Sequence, residues 1–473
     1  MSNKAKRDEL YRLVTSLFVA LIIGVIFPLL IIADAEHVII NTASIGTLFI
    51  TIISAAKLGY ISYKGEILPL ALTFWIFVAF WMGLSAFSQT VNNQFPLPGQ
   101  YTNTNIIEGI LIVLLSIIAY ETGRKRVGTK NHTLFTSKFE LRITPHRVYL
   151  LAILSILTSI YAIWKLGGIS QVLVTRKEWA FHVFDSGLYS KANALVNMIL
   201  LRVPAYLALL SALHIWIYRD IYLTSKKSTI SHSVVLFYLV LVNALANFPL
   251  ALARYWLGAM IISIFIVWLG TSNRSMATWS MLLITALLIV FPITSEFRNM
   301  NSLKDVGNIE LSGITTQLHG GDYDAFQQVL NTVKYVNTEG YSFGTNYLGS
   351  LFFWVPRSLW EEKPFGTGQI VAKSMGYDYT NLSQPFWGEA FYAFGYLGVL
   401  ICLYYYGKIS SRLDSLYRSS SFKGSVIFLI VPFFMGFQIF FLRGDLMNGM
   451  AYSLPFVLLT VVIFLKKKSI EIN

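Results

Sequence analysis

Residues 67–88, ILPLALTFWIFVAFWMGLSAFS, form an apolar run of 22 residues that contains no charged side chain. A run of this length crosses a hydrocarbon core of about 30 Å as an α-helix. A helix satisfies its own backbone hydrogen bonds in lipid, which an isolated strand cannot do. The run therefore predicts a membrane-spanning helix, and the same pattern returns along the chain.

We expect about twelve such helices. A mean hydropathy of +0.59 and a charged fraction of 13% support this, since soluble domains are about 25% charged. The predicted fold class is an all-α, polytopic integral membrane protein with one large outer loop that contains short helices. The predicted spans are residues 11–33, 38–57, 67–88, 105–121, 146–166, 192–217, 231–248, 251–270, 278–294, 386–407, 424–442 and 446–465.

The distribution of Lys and Arg predicts the orientation. Basic residues gather at the N-terminus, in the segment 124–147 and at 466–468, whereas the loop 89–104 contains none. Because loops on the cytoplasmic side accumulate positive charge, we expect both termini in the cytoplasm and the loop 295–385 on the opposite side. The net charge of +13 then reflects topology and affinity for anionic lipid headgroups. No basic folded motif indicates a nucleic-acid partner.

The chain divides into three parts. Residues 1–294 carry the first nine spans with short loops, 295–385 form the large loop, and 386–473 carry the last three spans and a cytoplasmic tail. Apolar residues recur at helical spacing from Tyr323 to Val336, with Asp322 at the N-cap position, and a second apolar stretch ends at Pro356. We expect two short helices that lie on the outer membrane face as a folded lid.

Several arginines fall on the predicted outer face. The guanidinium group binds phosphate through a rigid fork of donors, and a charge at a span end has an energetic cost, so a set of them favours a site for a lipid-linked pyrophosphate. Local ion pairs, Arg443 with Asp445 and Arg298 with Glu296, are the structural alternative. The set is Arg176, Arg254, Arg298, Arg357 and Arg443.

The large loop also supplies acid–base candidates: His319, Asp322, Asp324, Glu361 and Glu362, with Glu389 at the start of the tenth span. An inverting glycosyl transfer needs one base to accept the proton of the attacking hydroxyl, and histidine titrates nearest neutral pH. Each acid taken singly is equally suited to cap a helix. No nucleotide-binding, zinc-protease or Ser/His/Asp pattern occurs, and Asp322-Tyr323-Asp324 alone is a weak metal signal, so no metal site is predicted.

Three segments together carry a resemblance: HGGDYDAF (319–326), FWVPRSLWEEKP (353–364) and QPFWGEAFYAFGYLGV (384–399). The chain resembles the bacterial oligosaccharide repeat-unit polymerases of the Wzy type, which make O-antigen or capsule chains. The similarity is clearest over residues 250–450. The general plan, many spans with one dominant late outer loop, is similar as well.

The resemblance implies a membrane glycosyltransferase of the bacterial inner membrane. Such enzymes transfer a glycan from undecaprenyl pyrophosphate onto a new lipid-linked repeat unit on the periplasmic face, and so build lipopolysaccharide O-antigen or a related polysaccharide. It implies no nucleotide sugar, cofactor or metal. The implied partners are the lipid-linked glycans, membrane lipid, a chain-length regulator and a flippase.

By the same resemblance, each candidate residue has an expected role. Arg254, Arg298, Arg357 and Arg443 hold the phosphates, with Asp322 and Trp354 in the substrate site. His319, or else Asp324 or Glu389, is the catalytic base. Trp354, Trp360 and Trp387 stack on sugars. The loop around Arg176 carries no matching motif.

Three alternatives remain open from the sequence. An O-antigen ligase shares the plan but transfers finished glycan to the lipid A core. A lipid-linked oligosaccharide flippase or transporter also has about twelve spans, although such proteins usually show repeated halves and short loops. A structural component of a secretion machinery is the third. The segments 319–326 and 353–364 favour the polymerase.

Overall fold

The computed structural model describes residues 3–125, 139–181, 191–270, 275–290, 314–419 and 423–467. Its first nine helices are α1 (Asn3–Ala33), α2 (Thr42–Lys64), α3 (Pro69–Asn92), α4 (Asn103–Lys125), α5 (Pro145–Lys165), α6 (Arg176–Ala180), α7 (Lys191–Ile217), α8 (Arg219–Tyr222) and α9 (Lys226–Ala246). The remaining helices are α10 (Arg254–Leu269), α11 (Ser275–Thr285, continued by a π-helix Ala286–Val290), α12 (Ile314–Gln317), α13 (Ala325–Glu339), α14 (Thr345–Leu351), α15 (Thr367–Ser374), α16 (Phe386–Ser419), α17 (Ile427–Arg443) and α18 (Leu446–Phe464).

Within these described ranges, nine helices are long and apolar enough to cross a membrane: α1 to α5, α7, α9, α16 and α18. The protein is all-α, as predicted, and has the helices of a polytopic membrane protein. The shorter apolar helices α10, α11 and α17 coincide with three of the twelve predicted spans. That all twelve cross the bilayer stays a prediction.

Two groups of helices each enclose a hydrophobic core. The first group packs around α3, whose apolar window is completely buried, and includes α2, α4, α13 and α16. The second packs around α7 and includes α5, α10, α17 and α18. Apolar side chains on α1, α5 and α9 remain exposed, as expected of helices that face lipid.

Basic residues mark one end of the bundle. Asp414 of α16 forms an ion pair with Arg124 of α4 and accepts hydrogen bonds from the backbone N–H groups of Leu70 and Ala71. At the same end, a two-stranded antiparallel sheet joins β1 (Phe139–Leu141) to β2 (Leu465–Lys467). We call this the basic end, and the opposite one, where α13 to α15 pack, the loop end.

A close crossing of α4 and α16 depends on two glycines. A Cβ atom at Gly123 would lie 2.0 Å from the carbonyl oxygen of Tyr404, and one at Gly407 would lie 2.1 Å from that of Tyr120. Any side chain at either position would push the helices apart. Towards the loop end, α16 bends at Gly395, whose φ of 60° suits glycine.

Within residues 314–385 the large loop forms four helices, α12 to α15, and the longest of them is embedded rather than lying on the surface. Residues Ala325–Val333 of α13 are buried between α4, α16 and the end of α3. Gln327 accepts a hydrogen bond from Leu97 N and donates to Leu97 O, at 2.9 and 2.7 Å, whereas Gln328 Nε2 has no partner among the described residues. The expected N-cap was wrong, because α13 begins after Asp324 and the Asp322 carboxylate binds an arginine instead.

Candidate functional site

The segment 319–324, HGGDYD, crosses the loop end and is held by α3. The indole N–H of Trp81 donates to Asp322 O at 2.8 Å, and both Ser85 and Gln89 donate to Tyr323 O at 2.9 Å. Trp81 lies in a π-helical stretch, Val78–Leu84, of the kind that often marks functional sites. Burial and the nearby Asp322 carboxylate raise the pKa of the Tyr323 phenol. The segment is therefore a fixed part of the core.

Arg254 of α10 reaches this segment. Its two terminal nitrogens bind the two carboxylate oxygens of Asp322, one of them at 2.7 Å. The side chains are 16% and 11% exposed, so the pair is largely removed from solvent. Arg254 belongs to the α7 group of helices and Asp322 to the α3 group, so this ion pair joins the two cores.

Arg443, at the last residue of α17, makes a second bridge. Its Nη2 donates to Asp324 Oδ1 and to Gly321 O, both at 2.8 Å. Ser383 donates to the same carboxylate oxygen at 2.7 Å. The Nε of Arg443 has no partner among the described residues. The local pair of Arg443 with Asp445 that the sequence left open is not formed.

The two pairs decide the electrostatics of the segment. Two of the predicted phosphate-binding arginines do converge, but each already carries a carboxylate, so the cluster of Arg254, Asp322, Arg443 and Asp324 is neutral as a whole. A phosphate would have to displace or share these carboxylates. Asp322 and Asp324 are occupied by arginine, which also leaves less capacity for a metal ion.

His319 is half-buried at the start of the segment. Its Nε2 lies 3.0 Å from Ser88 Oγ, and its Nδ1 lies 3.2 Å from Gln94 O. A carbonyl only accepts, so Nδ1 is the protonated nitrogen, and in the neutral ring Nε2 carries the lone pair. The ring is thus oriented with its basic nitrogen towards a serine hydroxyl.

Glu389 is only 1% exposed and anchors the loop helices. Its Oε2 accepts from Asn346 of α14 at 2.8 Å and from Thr367 at the start of α15 at 2.7 Å. The neighbouring Asp445 accepts from Gly368 N at 3.0 Å, and the two carboxylates repel each other. Burial raises the pKa of Asp445. Glu389 and Asp445 therefore hold α14 and α15 in position.

Arg357 lies apart from the two ion pairs. It donates to the carbonyl oxygens of Lys363 and Pro364, and its guanidinium stacks 3.8 Å above the ring of Phe365. Lys363 in turn donates to Phe353 O at 2.6 Å, and burial together with Arg357 lowers its pKa. No carboxylate pairs with Arg357 in the part of the chain that the structure describes.

The three candidate aromatic residues differ in position. Trp354 is 53% exposed on the loop, and Trp360 is partly exposed. Trp387 is fully buried, with its ring 5.1 Å from that of Phe77. Trp387 is therefore a core residue, and the expectation that it stacks on a sugar was wrong.

Two predicted arginines complete the set. Arg298 lies outside the described residues. Arg176 begins α6, beyond the end of α5, and makes no contact with HGGDYD among the residues described. Of the predicted phosphate ligands, the structure brings Arg254 and Arg443 together and leaves Arg357 separate.

An apolar crevice opens beside the segment. It lies between α1, the π stretch of α3 and the π-helix after α11, and it ends at Tyr323, next to Asp322. Its volume of about 10 Å³ holds roughly one water molecule, so it is not a channel for a lipid chain. The crevice is lined by Phe27, Phe80, Leu84, Leu287, Leu288, Gln317, Leu318 and Tyr323.

The sequence analysis missed the residues that position the segment. Trp81, Ser85 and Gln89 recur every four residues on α3, so they form a stripe on one helix face. Polar groups inside an apolar span need partners, and that stripe was the available signal. Comparison of the chain with family models, curated proteins and solved structures finds no match.

Proposed function

We propose that the protein polymerises undecaprenyl-pyrophosphate-linked oligosaccharide repeat units into O-antigen or a related surface polysaccharide. The bacterial inner membrane is the proposed location, with both termini in the cytoplasm and the loop end in the periplasm. The basic end then faces the cytoplasm, in agreement with the positive-inside rule. The resemblance of residues 319–326, 353–364 and 384–399 supports this function.

One observation carries the proposal: two arginines from the ends of α10 and α17 converge on HGGDYD. Guanidinium groups bind phosphate oxygens in the same forked geometry in which Arg254 binds Asp322. In the proposed function, a lipid diphosphate replaces the two carboxylates as the partner of the arginines. Asp322 and Asp324 hold the arginines in place while no substrate is bound.

The proposed reaction is an inverting glycosyl transfer. The acceptor hydroxyl attacks the anomeric carbon of the donor sugar, a new glycosidic bond forms, and the bond to the diphosphate breaks. His319 Nε2 accepts the hydroxyl proton, with Ser88 and Gln94 orienting the ring. Arg254 and Arg443 stabilise the negative charge on the leaving undecaprenyl diphosphate.

The role of base falls to His319 ahead of the other two candidates. Asp324 is engaged by Arg443 and Ser383, although the exchange with phosphate releases it. Glu389 is enclosed by α14, α15 and α18 and acts by holding the loop helices. Trp354 is exposed and suits contact with a sugar face, whereas Arg357 orders the turn 353–365.

The test is deletion of the gene in the host bacterium, followed by gel analysis of its surface polysaccharide. A polymerase loss leaves lipid A cores capped by a single repeat unit. Cores without any attached unit point to a ligase, and lipid-linked units trapped on the cytoplasmic face point to a flippase; either result contradicts the proposal. Complementation with the intact gene must restore long chains.

A further inference from the structure

Another arginine, Arg202, lies inside the bundle without an acid beside it in the described ranges. Arg202 lies about three turns into α7 and is 3% exposed. No carboxylate pairs with it among the described residues, whereas Arg254 and Arg443 each have an aspartate. An ionisable residue within a span usually has a partner or a function, because burying its charge has a large cost.

Few hydrogen-bond acceptors surround the guanidinium group of Arg202. Its partners are Ala251 O, which accepts from Nη2 at 3.4 Å, and the phenol of Tyr452, although the group carries five donors. Its Nε has no partner among the described residues. The ring of Trp179 covers the group at 5.2 Å, and the indole N–H of Trp179 is likewise unpaired. Two buried donors, one of them on a cation, thus lie together without an acceptor.

Arg176 adds a second positive charge nearby, because it lies on the same short helix as Trp179, whose ring covers Arg202. Its charge repels that of Arg202, and the phenol of Tyr452 interacts with Arg202. The acid of α6, Glu178, is occupied in a capping box, where it accepts from Thr175 N and Oγ1 at 2.8 and 2.9 Å. Neither arginine of this pair is neutralised by a carboxylate in the described part of the chain.

The backbone around Arg202 is fixed. Asn247 donates to Arg202 O at 3.3 Å, and its own side-chain oxygen accepts from the indole of Trp256 at 2.9 Å. Trp179 packs with Leu166 and Ala251 in a separate hydrophobic cluster. The guanidinium is therefore held in position without the acceptors that it needs.

We propose that Arg202, with Arg176, forms a binding site for a phosphate group, either free phosphate or the phosphate of a lipid headgroup. A doubly charged phosphate matches two guanidinium groups in charge, and its oxygens match their forked donors. It also supplies the acceptors that Arg202 Nε and the Trp179 indole lack. The half-exposed Arg176 marks the side from which the anion enters.

This site is separate from the one in the proposed function. It shares no residue with the pairs Arg254–Asp322 and Arg443–Asp324, and its test measures binding rather than glycan synthesis. A structural role and a ligand-binding role for Arg202 predict opposite changes in stability when Arg202 is replaced. If Arg202 supports the fold, its replacement lowers the stability of the protein. If Arg202 serves a ligand, it is a buried charge in the free protein, and its removal stabilises that state.

The experiment measures thermal unfolding of the full-length protein in a neutral detergent, in phosphate and in chloride of equal ionic strength. We expect phosphate to raise the Tm of the wild type. Arg202→Met should raise the Tm in chloride, abolish the phosphate response and weaken phosphate binding at least about tenfold. Arg147→Met, at the basic end, is the control and should keep the response.

A phosphate response that persists in Arg202→Met, or a lower Tm of that variant in chloride, overturns the proposal. If Arg202→Met does not fold, Arg176→Gln decides, because an unchanged response in that variant overturns it as well. Wild type in phosphatidylcholine vesicles with and without phosphatidic acid, free of inorganic phosphate, identifies the source. Stabilisation only by phosphatidic acid assigns a lipid headgroup, stabilisation by inorganic phosphate assigns the free anion, and stabilisation by neither contradicts the site.

Discussion

Arg254 and Asp322 form a two-pronged ion pair although 68 residues separate them in the chain. The arginine begins α10 in one helix group, and the aspartate precedes α13 in the other. With Arg443 and Asp324, the pair connects two hydrophobic cores at the loop end. In the proposed function, this connection is also the place where a lipid diphosphate binds.

The ion pair should contribute to stability as a unit. Asp322→Asn removes the carboxylate that binds both terminal nitrogens of Arg254 in a largely buried place, so we expect a loss of about 2–4 kcal/mol in the free energy of unfolding. Arg254→Gln combined with Asp322→Asn should lose less than the sum of the two single variants. Thermal unfolding in detergent measures this cycle. Strict additivity would contradict the pairing.

His319 should be essential for glycan synthesis but not for folding. His319→Gln should lower long-chain polysaccharide by about 100-fold or more, the usual contribution of a general base, with little change in Tm. Ser88→Ala removes a hydroxyl that orients the ring and should cause a smaller loss. Gel analysis of surface polysaccharide measures both, with Thr316→Ala, a substitution of an exposed neighbour, as the control. Normal chains in His319→Gln would exclude it as the base.

Trp354 and Trp387 should separate sugar contact from core packing. Trp354→Ala removes a 53% exposed ring, so we expect shorter glycan chains and an unchanged Tm. Trp387→Ala opens a cavity in the core around α3 and should cost about 3–5 kcal/mol of stability. A lower Tm in Trp354→Ala together with an unchanged Tm in Trp387→Ala would contradict this assignment of the two tryptophans.

Asp445 should make stability depend on pH. Burial raises the pKa of its carboxyl above 3.8, so the folded protein keeps this proton at pH values at which the unfolded chain has released it. Since the unfolded state binds fewer protons in that window, the free energy of unfolding falls as the pH rises from 3.8 to the raised value.

Asp445→Asn removes this titration. Its Tm should therefore decline less than that of the wild type as the pH rises above 3.8. Asp378→Asn, which replaces an exposed acid on the loop, should follow the wild-type curve. Parallel curves for wild type and Asp445→Asn would mean that another group sets the pH dependence.

The sequence predicted the positions of the long helices because hydrophobicity and length are local properties. It also placed Arg254 and Arg443 at one end of the bundle, since alternate span ends face the same side. Their partners could not be predicted, because Asp322 and Asp324 approach them only through tertiary folding. The local sequence pattern predicted that Asp322 caps a helix, whereas in the structure its carboxylate binds Arg254.

Burial inside the bundle was equally hidden from the sequence. Helix α13 carries Gln327, Gln328 and Asn331, which are typical of a solvent-facing helix surface, yet all three are fully buried. Leu97 and Tyr101, in the loop after α3, bind Gln327 and Asn331, and Asn331 in turn donates to Gln328. Arg202 went unnoticed for a related reason. A single arginine within an apolar run gives no signal in the sequence, because only the structure shows that no described acid lies beside it.

The most direct test of the central claim is the affinity of the purified protein for farnesyl diphosphate in detergent, with Arg202 unchanged in every sample. If Arg254 exchanges its carboxylate for a lipid diphosphate, Asp322→Asn removes the competitor and should bind about tenfold more tightly than the wild type, whereas Arg254→Gln should bind at least about tenfold more weakly. Equal affinities in the three proteins would contradict the account.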